Sequence, residues 1–176
     1  GAYTIAWVLG LATLIALYCC ESVRRTYPTN MIVLVVFTAV ESYMLGAIAS
    51  RYETESVMVA MLTCTAIVFC LGAYAFQTKT DWTTRGGYLL TGMLCVLLML
   101  LFFFIFPTRL GAVVLGVAVA ALFCCFIIYD LQLIMIGKHK YTLGPDEYIV
   151  AALNVYIDIV QLFMLILYCT GSRRSD

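Results

Sequence analysis

Runs of about twenty apolar residues, the length needed to cross a bilayer, alternate with short polar stretches along the whole chain. They fall at residues 2–20, 31–49, 57–76, 88–106, 112–136 and 144–168. A helix rising 1.5 Å per residue spans a hydrocarbon layer of roughly 30 Å in a run of this size. The pattern therefore predicts six helices, joined through 21–30, 50–56, 77–87, 107–111 and 137–144. Connections this short are expected to make consecutive helices antiparallel neighbours. The first run starts without a flanking charge and lacks a small-residue cleavage pattern after it, so it reads as a truncated start rather than a signal peptide.

The last run carries the most polar detail. It reads GPDEYIVAALNVYIDIVQLFMLILY. Pro145 suits a first helical position, and Asp146 and Glu147 suit the positive end of a helix dipole. Asn154, Asp158 and Gln161 follow at i, i+4 and i+7, on one helix face. A carboxylate in the middle of such a segment is costly and needs a partner. Polar groups of this kind should avoid lipid, which predicts an all-α integral membrane bundle with its last helix at the centre.

Composition agrees with the pattern. Apolar residues make up 64% of the chain and charged ones 11%, against about 45–50% and 25% in soluble domains. A single transmembrane domain over 1–176 is expected, with no soluble domain left over. Net charge is zero, so nothing points to nucleic acid as a partner. All ten Lys and Arg lie outside the apolar runs, and of the ten acids only Glu41, Asp130 and Asp158 lie deep within them.

The placement of the cations sets a topology. Arg24, Arg25, Lys79, Arg85, Lys138 and Lys140 follow odd-numbered runs, whereas Arg51 and Arg109 follow even-numbered ones. This bias places the first group in the cytosol. Trp82 sits in the loop after the third run like an interfacial anchor. Arg173 and Arg174 lie on the far side if the last run crosses fully, and return to the cytosol if it re-enters. The sequence leaves both open.

Eight cysteines lie in the apolar runs or at their ends, and His139 is the lone histidine. No zinc-ligand spacing results, and the cysteines are expected to act as small buried hydrophobes. The aromatic residues and methionines are expected to pack helices. Gly72, Gly86, Gly87, Gly92, Gly111 and Gly116 are expected to allow turns or close helix approach.

Helix rise places Asp130 roughly 9 Å below the cytosolic edge, with Asp158 and Glu41 each about 15 Å down. Asp130 and Asp158 lie on consecutive antiparallel helices and are the natural partners. Two carboxylates in a low-dielectric site cannot both ionise cheaply, so one is expected to hold a proton. When ionised, the pair attracts a cation. Arg24, at the cytosolic mouth, has the reach to latch onto it, and Thr38 and Ser42 offer local partners to Glu41. The bland reading is that these acids merely hydrogen-bond helices together. An intramembrane aspartyl protease also pairs two aspartates, but its second motif should read GxGD where this chain has VYID at 155–158. The chain is therefore not expected to be an enzyme.

Three stretches together resemble the transmembrane BAX inhibitor motif family, more closely its lifeguard branch. They are YAFQTKTDWT at 74–83, LFCCFIIYDLQLIM at 122–135 and LGPDEYIVAALNVYIDIVQLF at 143–163. The likeness also takes in RRTYPTN at 24–30 and FTAVES at 37–42. The resemblance implies a seven-helix bundle whose first helix is missing here. It also implies a pH-sensitive calcium leak of Golgi or endoplasmic reticulum membranes that suppresses cell death. An aspartate pair gates that leak in bacterial members, and Asp130 and Asp158 match it. The latching arginine maps to Arg24, with Arg25 as the fallback. A family carboxylate in the first span has no match, because 2–20 contains no acid. Calcium and protons are the implied permeant or bound ions, with Asp130 and Asp158 as the calcium ligands and Glu41, Asn154 and Gln161 as supporting polar groups. No other cofactor is expected. The alternative is a non-conducting interaction protein that regulates cell death or receptor signalling through protein partners.

Overall fold

The structure, a computed structural model, describes residues 1–135 and 147–174. In lipid a chain can satisfy its backbone polar groups only internally, and long apolar runs meet that demand as helices. The helices are α1 (Ala2–Cys19), α2 (Glu21–Arg25), α3 (Thr29–Ala49), α4 (Thr54–Gln77), α5 (Gly86–Ile105), α6 (Arg109–Ile134) and α7 (Tyr148–Thr170). A 3-10 turn, Thr83–Arg85, leads into α5. Among the described residues, all but α2 and that turn are long and apolar enough to cross a membrane.

The helices begin earlier than hydropathy alone predicts. α3 starts at Thr29 rather than 31, α4 at Thr54 rather than 57, α5 at Gly86 rather than 88 and α6 at Arg109 rather than 112. First turns tolerate polar residues that an apolar count rejects. Thr108 shows the reason directly, since its hydroxyl accepts the N–H of Gly111 at 3.0 Å and caps α6. The polar connection expected at 21–30 contains the short helix α2. Pro145 and Asp146, expected to open the last helix, lie outside the described residues, as does the connection 137–144 with Lys138, His139 and Lys140. Glu147 occupies the N-cap position of α7.

α7 is the central helix. It packs against α6, α4, α3 and α1. Its buried residues are Ile149, Ala151, Leu153, Asp158, Leu162 and Leu167. One apolar cluster joins Leu17, Phe37, Ile149 and Leu153 across α1, α3 and α7. A second joins Cys64, Ile127 and Leu162 across α4, α6 and α7. Consecutive helices are therefore not all lateral neighbours. α3 packs chiefly on α1, and α4 on α6 and α7, because α7 wedges between the two groups.

The cysteines depart from expectation. Cys64 is buried and Cys124 and Cys125 are half-buried, but Cys19, Cys20, Cys70, Cys95 and Cys169 lie exposed on the bundle. A thiol is apolar enough to face lipid, so a membrane surface does not demand its burial.

The C-terminal end of α7 is tied down. The N–H of Glu53 donates to the carbonyl of Ser172 and that of Arg174 to the carbonyl of Arg51, each at 3.0 Å. Ser172 also donates its N–H to the Ser56 hydroxyl. Any Cβ at Gly171 would lie 2.4 Å from the Leu167 carbonyl oxygen and 2.6 Å from the Tyr52 ring, so only glycine permits this approach. The last segment is thus one continuous helix, long and apolar enough to cross a membrane. Arg173 and Arg174 join Arg51 at one end of the bundle, and Arg24, Arg25 and Arg85 mark the other.

Candidate functional site

α6 and α7 run antiparallel, and the register is visible in their apolar contacts. Ile127 packs with Leu162, so Asp130, one turn after Ile127, meets Asp158, one turn before Leu162. Both aspartates are buried, each at 8% exposure. Their side chains lie close enough to interact directly. Two carboxyls joined by a hydrogen bond require that one carry a proton and donate it to the other. Asp158 Oδ2 is buried without a donor among the described residues. A shared proton is the simplest way to satisfy that oxygen, since leaving it bare costs its full desolvation.

Asn154, one turn before Asp158 on the same face of α7, lies beside Asp130. Its amide oxygen in turn accepts the hydroxyl proton of Tyr18, from α1. Tyr18 therefore lies beside both aspartates and closes the site from the Arg24 end. The sequence reading missed this residue. A tyrosine two positions before the end of an apolar run reads as part of an interfacial aromatic belt, and nothing in its spacing shows which helix it faces.

Arg24 was expected on the aspartate pair, but here its guanidinium is held one layer further out. Nη2 donates to Glu147 Oε1 at 3.2 Å and Nη1 to the Tyr18 carbonyl at 3.0 Å. Arg25 shares Glu147 at 3.1 Å and also pairs with Glu21. The physical reason is position. α2 keeps Arg24 at the rim, where Glu147 offers a partly solvated carboxylate and no charge has to enter the apolar interior. Arg24 Nε is nonetheless buried without a partner among the described residues. Asn30 completes this rim. It is 1% exposed and donates its amide to Tyr148 Oη at 2.9 Å and to the Arg24 carbonyl at 3.2 Å. Asn30, too, was absent from the sequence reading.

Two candidates lie apart from the pair. Glu41 is half-buried on α3. It lies beside Tyr156, with its Oε1 3.7 Å from where a Cβ on Gly10 would sit. Thr38 and Ser42 do not supply the local partners expected for it. They donate to the Leu34 and Thr38 carbonyls of their own helix, the usual back-bonding of hydroxyls inside helices. Gln161 is exposed, although it stands only about 20° from Asn154 around the helix.

A second polar site also escaped the sequence. Gln132 is fully buried. Its Oε1 accepts the Trp82 N–H at 2.7 Å, and its Nε2 donates to the Thr80 carbonyl at 3.1 Å. This side chain pins the loop after α4 to α6, two residues beyond Asp130. Asp81 accepts both the N–H and the hydroxyl of Thr83, at 3.0 and 2.6 Å, and so shapes the turn into α5.

Chemically, the arrangement can hold one proton between two carboxyls and offer oxygens to a hard cation. Two carboxylates present at most about four oxygens, short of the six to eight a resident calcium takes. No third His, Cys, Asp or Glu joins them among the described residues. The pair fits a passing ion better than a permanent one.

The chain matches the family described as "Inhibitor of apoptosis-promoting Bax1" over residues 2–175. Protein lifeguard 3 of Mus musculus is 33% identical over 185 residues, covering 98% of this chain and 57% of that protein. Its Homo sapiens counterpart is 32% identical over 186 residues, covering 99% and 57%. Protein lifeguard 4 of Mus musculus is 36% identical over 162 residues, covering 91% and 65%. The chain thus spans less than two thirds of each of these relatives, yet the match runs through every helix described above. A six-crossing helical chain with buried aspartates on its last two helices, matched from end to end, belongs to the Bax inhibitor family, on its lifeguard branch.

Proposed function

We propose that this chain forms a pH-sensitive, calcium-permeable leak of intracellular membranes, of the Golgi or endoplasmic reticulum, that sets calcium stores and thereby suppresses apoptosis. The observation that carries the proposal is the buried Asp130–Asp158 pair on facing helices of the bundle. Ionisable groups at such depth usually mark an ion or proton path. The pair is the gate in this reading. Its shared proton and a passing calcium ion compete for the same oxygens, while hard oxygen donors favour calcium over softer metals. Arg24, held on Glu147 and the Tyr18 carbonyl, keeps the outer layer closed above the pair. The family description supports the role in apoptosis.

The test is ion flux from purified protein in liposomes loaded with a calcium dye, across about pH 6 to 8, a range that brackets a shared carboxyl proton. Calcium entry that depends on pH and on both aspartates supports the leak. Absence of flux at every pH would leave the interaction-protein reading, in which the pair only fastens α6 to α7.

A further inference from the structure

α5 packs chiefly on α6 and on the 3-10 turn, and the seam between them opens into a groove of about 880 Å³. Its walls are low because facing positions are small. Gly92 and Cys95 line it from α5, and Ala118, Ala121 and Cys125 from α6. Gly92 matters most to the depth, since a Cβ there would come within 3.1 Å of Leu122. The groove runs from Arg85 down to Met99, fourteen helical positions or about 21 Å. One leaflet's hydrocarbon is roughly 15 Å deep, half of a 30 Å core, so the groove can take an acyl chain over its full leaflet depth.

The mouth is chemically different from the walls. Trp82, Arg85 and Tyr88 line it, two amphipathic rings at the level where they anchor to headgroups. The Arg85 guanidinium stacks over the Trp82 ring, 5.2 Å from its centroid. No carboxylate pairs with it among the described residues. Stacking fixes the cation at the rim, where Arg85 is exposed and its N–H groups suit a phosphate. Arg24 and Arg25 lie at the same end of the bundle, the end that the cation bias assigns to the cytosol and its anionic leaflet.

We infer that the α5–α6 groove is a binding site for an anionic glycerophospholipid, its phosphate on Arg85 and one acyl chain between Gly92, Cys95 and Ala121. A second copy of the chain or a partner's helix would match the apolar walls but leave the stacked cation without a counter-charge, so the lipid is favoured.

Native mass spectrometry of the purified full chain tests this, with dioleoyl phosphatidylglycerol and dioleoyl phosphatidylcholine titrated in parallel. Wild type should retain one phosphatidylglycerol in preference to phosphatidylcholine. Arg85→Gln, at an exposed position, should reduce that preference by about fivefold, the effect of losing one headgroup-level cation. Arg85→Lys should keep most of it. Ala121→Phe should fill the groove and abolish retention of both lipids, and a far-UV spectrum unchanged from wild type shows that it has folded. Equal retention by wild type and Arg85→Gln overturns the headgroup assignment and with it the site. Oxidative Cys95–Cys95 cross-linking into a dimer, with no lipid displaced, would assign the groove to a second copy instead.

Discussion

Tyr18 of α1 donates its hydroxyl proton to the amide oxygen of Asn154 on α7, and Asn154 stands beside Asp130 on α6. Three helices thus meet in one polar chain that ends on the Asp130–Asp158 pair. The first helix has no acid of its own, yet it reaches the site through a hydroxyl. This link makes Tyr18→Phe an informative change. Losing the donor should cost about 1 kcal/mol, read as a lower melting temperature in detergent. It should also shift the pH midpoint of calcium flux, because Asn154 is then free to turn away from Asp130. An unchanged midpoint would confine Tyr18 to a packing role.

Replacing both Asp130 and Asp158 by Asn keeps the shape of the pair and removes its titrating charge. The pH dependence of flux over about pH 6 to 8 should then disappear. The single variants should differ. Asp158→Asn leaves Asp130 beside the Asn154 amide, whereas Asp130→Asn leaves Asp158 one helical turn from it on the same helix. Dye-loaded liposomes read all three variants. A double variant with wild-type pH dependence would remove the pair from gating.

The rim offers a coupling experiment. Arg24 and Glu147 form an ion pair with side chains 21% and 24% exposed. If they act as one clasp, Arg24→Ala and Glu147→Gln should each raise basal leak, and the double variant should add little. Their coupling should lie within about 0.5–3 kcal/mol, the range for directly contacting groups. Fully additive effects on leak would show that Arg24 works elsewhere, the aspartate pair being the first place to look.

Gln132→Leu should destabilise the bundle by about 1–3 kcal/mol, because it strips buried backbone groups of Trp82 and Thr80 of their partners. The loop after α4 should become sensitive to protease while the helices stay folded. Thermal unfolding and limited proteolysis check this together, and an unaltered cleavage pattern would deny Gln132 its role as a pin.

The crossings and the aspartate pairing were legible because their signals are local and costly. Twenty apolar residues have one cheap solution in lipid, and a carboxylate inside them demands a partner. Asp130 and Asp158 lay on consecutive helices, so adjacency was cheap to infer. Lateral order was not. The loop 50–56 fixes the ends of α3 and α4 but not what lies between them, and α7 fills that gap. Tyr18, Asn30 and Gln132 escaped for the same reason. A tyrosine or amide near a helix end is cheap in either a wet or a buried setting, so its type carries no information on which it occupies. The position of Arg24 turned on competition. Glu147, seen in the sequence as a helix-dipole acid, is the nearer and less costly partner.

The pairing of residues 171–174 with the loop 51–53 has a mechanical consequence. It ties one end of α7 to that loop, so in the proposed gate the helix would swing about this end rather than slide along its axis. Measured from Thr170, Asp158 sits about 18 Å along the lever and Tyr148 about 33 Å. A swing of about 10° would carry Asp158 by about 3 Å and the rim by about 6 Å, taking those lever arms from the helical rise. The first distance is one hydrogen bond and the second is wider than a dehydrated ion. In the proposed gate, a small angular movement would part the carboxyls only slightly while moving the rim about twice as far, a ratio set by where along α7 the aspartate stands.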